Sequence, residues 1–148
     1  MHNYKKLHIW QEGIKLARRI YDISSKFPSN EKYGIISQMT RAAVSIPSNI
    51  AEGAGRTSNK DFANFLSIAI GSIFELHTQI VICEQIGYID QNTLKQLEEQ
   101  TFTLQQQIAA YKQRIEGISP TMSEANGPTA KRSYSPKDGP TVKRSITK

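Results

Sequence analysis

The 148-residue chain has a single cysteine, Cys83, which excludes an intramolecular disulfide and any cysteine-rich metal site. Its neighbours Ile80, Val81, Ile82 and Ile86 are apolar, so a buried, unreactive thiol is expected there. No stretch approaches the roughly 20 apolar residues of a membrane span. The N-terminal segment MHNYKKLHIWQEG starts basic but has no apolar run behind it, unlike a secretory signal. There is no H-E-x-x-H spacing, no P-loop, no dinucleotide-binding glycine pattern and no G-x-S-x-G elbow. Ser45, Ser48, Glu52 and His77 are the residue types of a hydrolytic set, but no pattern joins a nucleophile to a base and an oxyanion site. These absences lead to the expectation of a soluble, cytoplasmic, non-catalytic protein without metal or cofactor.

Charge is abundant but uneven. Residues 1–60 hold ten Lys and Arg against four Asp and Glu, residues 61–116 three against seven, and residues 117–148 six against two. The first and last segments suit an acidic partner such as nucleic acid, whereas the middle one does not.

Four helical patterns follow one another with no strand-like alternation between them. In the first, Leu7, Trp10, Ile14, Ala17 and Tyr21 repeat at 3- and 4-residue spacings and predict a core-facing seam. FPSNEKYG (27–34) interrupts it, with Ser29 or Asn30 as the candidate N-cap. A second helix is predicted from about Lys32 to Glu52 on Met39, Ala43, Ile46 and Ile50, with a left-handed exit at Gly53 and Gly55. Ser58 followed by Asp61 resembles a capping box that opens a third helix running to Gly87. A fourth begins near Asp90 on Leu94, Leu97, Thr101, Leu104, Ile108, Tyr111 and Ile115. Short connections make neighbours antiparallel, so an all-α, up-down four-helix bundle over residues 1–116 is expected. The third helix is apolar around most of its circumference, Phe62, Ile68, Ile70, Phe74, Leu76 and Ile82 included. In so small a bundle that calls for cover from a second subunit, hence a homo-oligomer.

The stretch RAAVSIPSNIAEGAGR (41–56) crowds small and polar residues around a helical proline. Ala42, Ala43, Ser45, Ser48 and Ala51 offer little bulk, so a neighbouring backbone can come close. Pro47 cannot donate to the carbonyl of residue 43, and an interior proline kinks or breaks a helix at a cost of roughly 3 kcal/mol. Ser48 or Asn49 can satisfy freed backbone groups locally. Ser45, Ile46, Pro47, Ser48, Asn49, Ile50, Glu52 and Gly53 therefore read as a packing seam, framed by Arg41 and Arg56. Beyond Gly117 the composition changes, and GPTAKRS (127–133) recurs as GPTVKRS (139–145). Such sequence buries too little apolar surface to order itself, so residues 117–148 are expected to be a disordered tail. It is either a dispensable extension or a carrier of two phosphate-contacting pairs, Lys131–Arg132 and Lys143–Arg144.

LHIWQEGIKLA (7–17), SQMTRAAVSIPSNIAEGAGR (37–56), FLSIAIGSIFELHTQ (65–79) and GYI (87–89) carry a resemblance. Over about residues 5–115 the chain resembles the bacterial 23S ribosomal RNA intervening-sequence proteins and is similar to the accessory variability proteins of diversity-generating retroelements. The resemblance implies four antiparallel helices assembled as a ring-shaped homopentamer. The retroelement relatives bind nucleic acid and a reverse transcriptase through basic surfaces. Two positions depart from the pattern: Thr40 stands where a second basic residue is frequent, and Ile70 where an arginine is. Both losses weaken phosphate binding at those positions.

Two functions follow. One is binding of nucleic acid, RNA ahead of DNA, by phosphate neutralisation at Lys15, Arg18, Arg19, Arg41, Arg56 and Lys60, with Lys5 and Lys6 beside them. Tyr4, Trp10 and Tyr21 are read as core rather than as base-stacking platforms. The other is a protein-interaction scaffold for a reverse transcriptase or an RNA-processing factor.

Overall fold

In the computed structural model, which describes residues 2–118, the chain forms four long helices: α1 (His8–Ser24), α2 (Ile35–Ala54), α3 (Asn59–Gln85) and α4 (Gln91–Ile115). Short 3-10 turns at Tyr4–Lys6 and Ser29–Glu31 precede α1 and α2. No strand occurs among the described residues. Helices adjacent in sequence pack against one another, and α4 closes the bundle against α1. Each pair is antiparallel: Met39 near the start of α2 meets Cys83 near the end of α3, and Arg19 late in α1 meets Gln96 early in α4.

The helix starts follow local chemistry. Ser58 Oγ accepts the Asp61 backbone N–H at 3.1 Å and donates to Asp61 Oδ2 at 2.7 Å, which fixes the start of α3. Asp90 caps α4 through the Thr93 N–H at 2.7 Å. The start of α2 differs from the sequence expectation. Ser29 and Asn30 are wound into the 3-10 turn, and Glu31 Oε2 accepts the Ile35 N–H instead at 3.3 Å. Its other oxygen, Oε1, accepts the Tyr88 hydroxyl at 2.9 Å, which ties the α1–α2 connection to the α3–α4 connection.

The core is built from Leu16, Ile20, Met39, Ile46, Ile50, Phe62, Leu66, Leu76, Ile80 and Leu97, all fully buried. The seams predicted for α2 and α4 lie on it. The α1 seam does so only in part: Ala17 is buried and Leu7 and Trp10 pack against the core, but Ile14 and Tyr21 are 44% and 54% exposed, and α1 also buries Ile9, Gly13, Leu16 and Ile20. The reason is where α2 sits. A Cβ on Gly13 would lie 3.3 Å from Pro47 Cβ, so α1 turns its glycine to the proline and carries Ile14 outward. Tyr4 and Trp10 pack edge-to-face at 5.4 Å against the core, whereas Tyr21 does not join them.

Cys83 is buried, and burial, with Glu31 nearby, pushes its thiol up to about 11. By length and composition α3 meets the test for a membrane-crossing helix, contrary to the sequence reading, but it runs between α2 and α4 with Phe62, Leu66, Ile73, Leu76 and Ile80 in the core. Its outer face leaves Ile68, Phe74 and Ile82 about half exposed.

Candidate nucleic-acid interface

Residues 41–54 form the second part of α2, and Gly55 and Arg56 follow its end. Ile46, Pro47, Ile50 and Gly53 are buried, while Ser48 and Glu52 face outward. Ser45 and Asn49 tie α2 to α3 in a directional chain. Asn49 Nδ2 donates to Ser45 Oγ at 2.9 Å, and the two serine hydroxyls Ser45 and Ser72 lie 2.8 Å apart. Ser72 Oγ passes its proton on to Ile68 O at 3.1 Å. Asn49 also donates to Ser45 O at 2.7 Å, so it satisfies that carbonyl rather than the one Pro47 leaves free, and Ser48 takes no part.

Gly53 is required for space. A Cβ there would sit 2.7 Å from Phe62 Cδ2 and Phe65 Cβ of α3. The expected left-handed exit is absent: Gly53 is helical, Gly55 has φ −80°, and positive φ occurs only at Gly87 and Gly117 among the described glycines. The run of small residues is an interhelical seam.

No hydrolytic set assembles. Ser45 is held by Asn49 and Ser72, and Glu52 pairs with Arg56 at 2.8 Å. His77 Nε2 meets Glu98 Oε1 at 3.0 Å across the α3–α4 boundary. No group of three metal-ligating side chains occurs among the described residues.

The basic residues singled out in the sequence do not form one surface. Lys15 pairs with Glu12 at 2.7 Å, and Arg19 donates to Gln96 Oε1 at 2.6 Å and Gln100 Oε1 at 3.1 Å, so both belong to the α1–α4 flank. Arg18 is exposed on α1. Arg41 lies on the α2–α3 flank, in a cleft of about 410 Å³ with Gln38, Ser45 and Glu75. Arg56 and Lys60 lie at the α2–α3 corner, with the Arg56 guanidinium 4.7 Å above the Phe65 ring. Lys131, Arg132, Lys143 and Arg144 lie outside the described residues.

The fold gathers four of the candidates, Lys5, Lys6, Arg56 and Lys60, with Lys112 and Arg114 at one pole. The His2 N–H donates to Ala54 O at 3.0 Å, which brings the N-terminal segment onto the end of α2. Asn59 Nδ2 donates to Ile115 O at 3.1 Å, which joins the start of α3 to the end of α4. His2 stacks at 5.3 Å on Phe62, whose other neighbour is Tyr111 at 5.7 Å. Lys5, Lys6, Arg56, Lys60, Lys112 and Arg114 therefore share this pole with Glu52, Asp61 and Glu116. The opposite pole carries Lys26, Lys32 and Lys95 against Asp22, Glu31, Glu84 and Asp90. Sequence reasoning passed over Lys112 and Arg114, because basic residues in a last helical turn are routine complements of the helix dipole.

The α1–α4 boundary opens into two clefts. One, of about 620 Å³, includes Glu12, Lys15, Arg19, Glu99 and Gln100 in its walls. The other, of about 420 Å³, lies at the basic pole between the start of α1 and the last turns of α4, with Lys6, His8, Tyr111 and Arg114 in its walls. Gln107 borders both.

This four-helix frame matches the family model described as 23S rRNA-intervening sequence protein over residues 5–110. The chain belongs to that family. Among solved structures, the intervening-sequence chain is similar to a protein of unknown function from the S23 ribosomal protein family of Bacteroides thetaiotaomicron VPI-5482. The two share 20% identity with a TM-score of 0.63, over 70% of this chain and 97% of that one, a likeness of fold. No curated protein sequence matches this family member.

Proposed function

We propose that this intervening-sequence family member is a non-catalytic bundle that binds nucleic acid, RNA ahead of DNA, in the cytoplasm. The observation that carries the reading is the basic pole, where six Lys and Arg meet three carboxylates. Such a patch attracts a polyanion by neutralising phosphate and releasing counterions. Family membership supports an RNA-related role. A ring-shaped homo-oligomer belongs to the same proposal: Ile68, Phe74 and Ile82 on α3 are half-exposed apolar side chains suited to cover by a second copy. Repetition of the basic pole around a ring would add weak contacts by avidity.

A scaffold role is the second reading. It is favoured by the α3–α4 cleft of about 300 Å³ with the exposed rings of Phe74 and Phe102 at its mouth, a surface suited to an apolar side chain of a protein partner.

The test is binding of nuclease-treated protein to a structured RNA and to duplex DNA from about 50 to about 300 mM salt. The full chain is compared with a variant carrying Gln at Lys131, Arg132, Lys143 and Arg144. Salt-sensitive binding kept by the variant places the activity on the bundle. Loss with the variant moves it to the tail, and no binding by either favours the scaffold.

A further inference from the structure

We propose that the basic-pole cleft between the start of α1 and the end of α4 is a phosphate-holding site, the anchor of the strand that this protein binds. The proposal rests on the nucleic-acid reading above and deepens it. Of the two α1–α4 clefts, the larger mixes Lys15 and Arg19 with Glu12 and Glu99. The smaller has Lys6, His8 and Arg114 in its walls and no carboxylate.

Its cationic groups are also uncommitted. The ion pairs among the described residues use Lys15, Arg56, His77 and Lys112, and neither Lys6 nor Arg114 takes part. The Arg114 guanidinium lies 5.0 Å from the Tyr111 ring centre. Stacking of that kind orients the plane and leaves the N–H edge for an oxyanion, the bidentate geometry that suits phosphate.

Gln107 adds a polar group that the fold leaves over. Its Oε1 is buried without a partner, and its side chain makes no hydrogen bond to another described residue. The orphan oxygen is an acceptor and gains nothing from an anion, but the side-chain N–H₂ of the same residue is an unused donor beside the cleft, of the kind that a phosphate oxygen accepts from. The start of α1 contributes in the same direction. Leu7 at the N-cap supplies no side-chain acceptor to the first turn of α1, and Leu7, His8 and Ile9 of that turn line the same cleft. A volume of about 420 Å³ accommodates a phosphate with its sugar.

The ligand chemistry is a phosphate oxyanion, supplied either by a strand's 5′-terminal monoester or by its internal diesters. The experiment uses the full chain, a Lys6→Gln/Arg114→Gln double variant, and Lys95→Gln at the opposite pole as the control. All three positions are exposed, so the fold is expected to persist, and thermal unfolding checks it. The probes are a single-stranded RNA of about ten nucleotides with a 5′-phosphate and its 5′-hydroxyl twin. The double variant is expected to lose about tenfold or more in affinity, and its log–log salt slope to fall by roughly 1.4, about 0.7 for each phosphate contact removed from a single strand. Lys95→Gln is expected to bind as the wild type does.

Weaker binding of the 5′-hydroxyl twin identifies the terminal phosphate as the anchored group, and equal binding identifies the internal diesters. Both outcomes support the site, provided that the double variant is impaired. Wild-type affinity and slope in the double variant overturn the cleft and leave the nucleic-acid reading standing. If the wild type binds no RNA, that reading falls and titration with inorganic phosphate decides the cleft separately. Amide shifts confined to residues 6–9 and 107–114 support it, and their absence overturns it.

Discussion

The α2–α3 boundary and the α1–α4 boundary are built on opposite rules. At the first, Gly53 lets Phe62 and Phe65 press against backbone, and Asn49, Ser45 and Ser72 close a hydrogen-bonded chain with small side chains. At the second, long polar side chains meet across open clefts: Arg19 reaches Gln96 and Gln100, and Gln107 finds no partner. Small residues bring the two helices into direct contact, and the cleft beside Arg41 lies at the edge of that contact. Long polar residues hold helices apart and leave donors at the surface.

The contrast can be broken most severely at Ile46, which is fully buried. Ile46→Asp places an unpaired charge in the core and is expected to cost more than about 4 kcal/mol, enough to abolish cooperative unfolding measured by circular dichroism. Survival of a sharp transition would show that the seam does not carry the fold.

Gly53→Ala tests the close approach alone. The added methyl gains about 1 kcal/mol of helix propensity, but it collides with Phe62 and Phe65 at 2.7 Å. Overpacking typically costs about 1–3 kcal/mol. A net fall in melting temperature is expected, and a rise would mean that α3 yields easily.

Cys83 reports on the same packed side through pH. Its neutral thiol is favoured in the fold, with a value of about 11 against 9.0 for the free group. Between those values the unfolded chain releases a proton that the folded chain keeps, so stability is expected to decline as pH rises from 9 to 11. Replacing Cys83 by Ala should flatten that part of the denaturant-midpoint profile.

The smallest effect is expected on the open side. Arg19→Ala removes two hydrogen bonds to partly solvated glutamines, and a change within about 0.5 kcal/mol is expected in chemical denaturation. A loss comparable to that of Gly53→Ala would erase the distinction between the two boundaries.

Much of this was legible in the residues. The α2 and α4 seams, the cap at Ser58, the start of α4 near Asp90 and the buried thiol depend on local spacing and side-chain chemistry, and the structure has them all. The α1 seam held at Leu7, Trp10 and Ala17 but was misread at Ile14 and Tyr21, which fit a 3–4 repeat as well as Ile9, Leu16 and Ile20 fit the helical period. Spacing does not say which stripe a neighbour will cover. The contact of Gly13 with Pro47 chose. Reading Gly53 as a helix exit failed for a similar reason, since a glycine's need for space comes from the facing helix.

The candidate site was less legible than the fold. Lys15, Arg19, Arg41, Arg56 and Lys60 all fall in the basic first 60 residues, yet the antiparallel path distributes them over two flanks and a corner. Helix turns rotate neighbouring side chains apart, while an up-down chain returns its ends to one pole. By itself the sequence determined that the chain is helical, where α2 and α4 bury their apolar stripes, and that α3 carries more apolar surface than one core uses. Only the tertiary structure decided which face of α1 turns inward and that Lys6, His8 and Arg114 border one cleft. Periodicity is a property of a single helix, whereas proximity between the chain's ends exists only once the helices have packed.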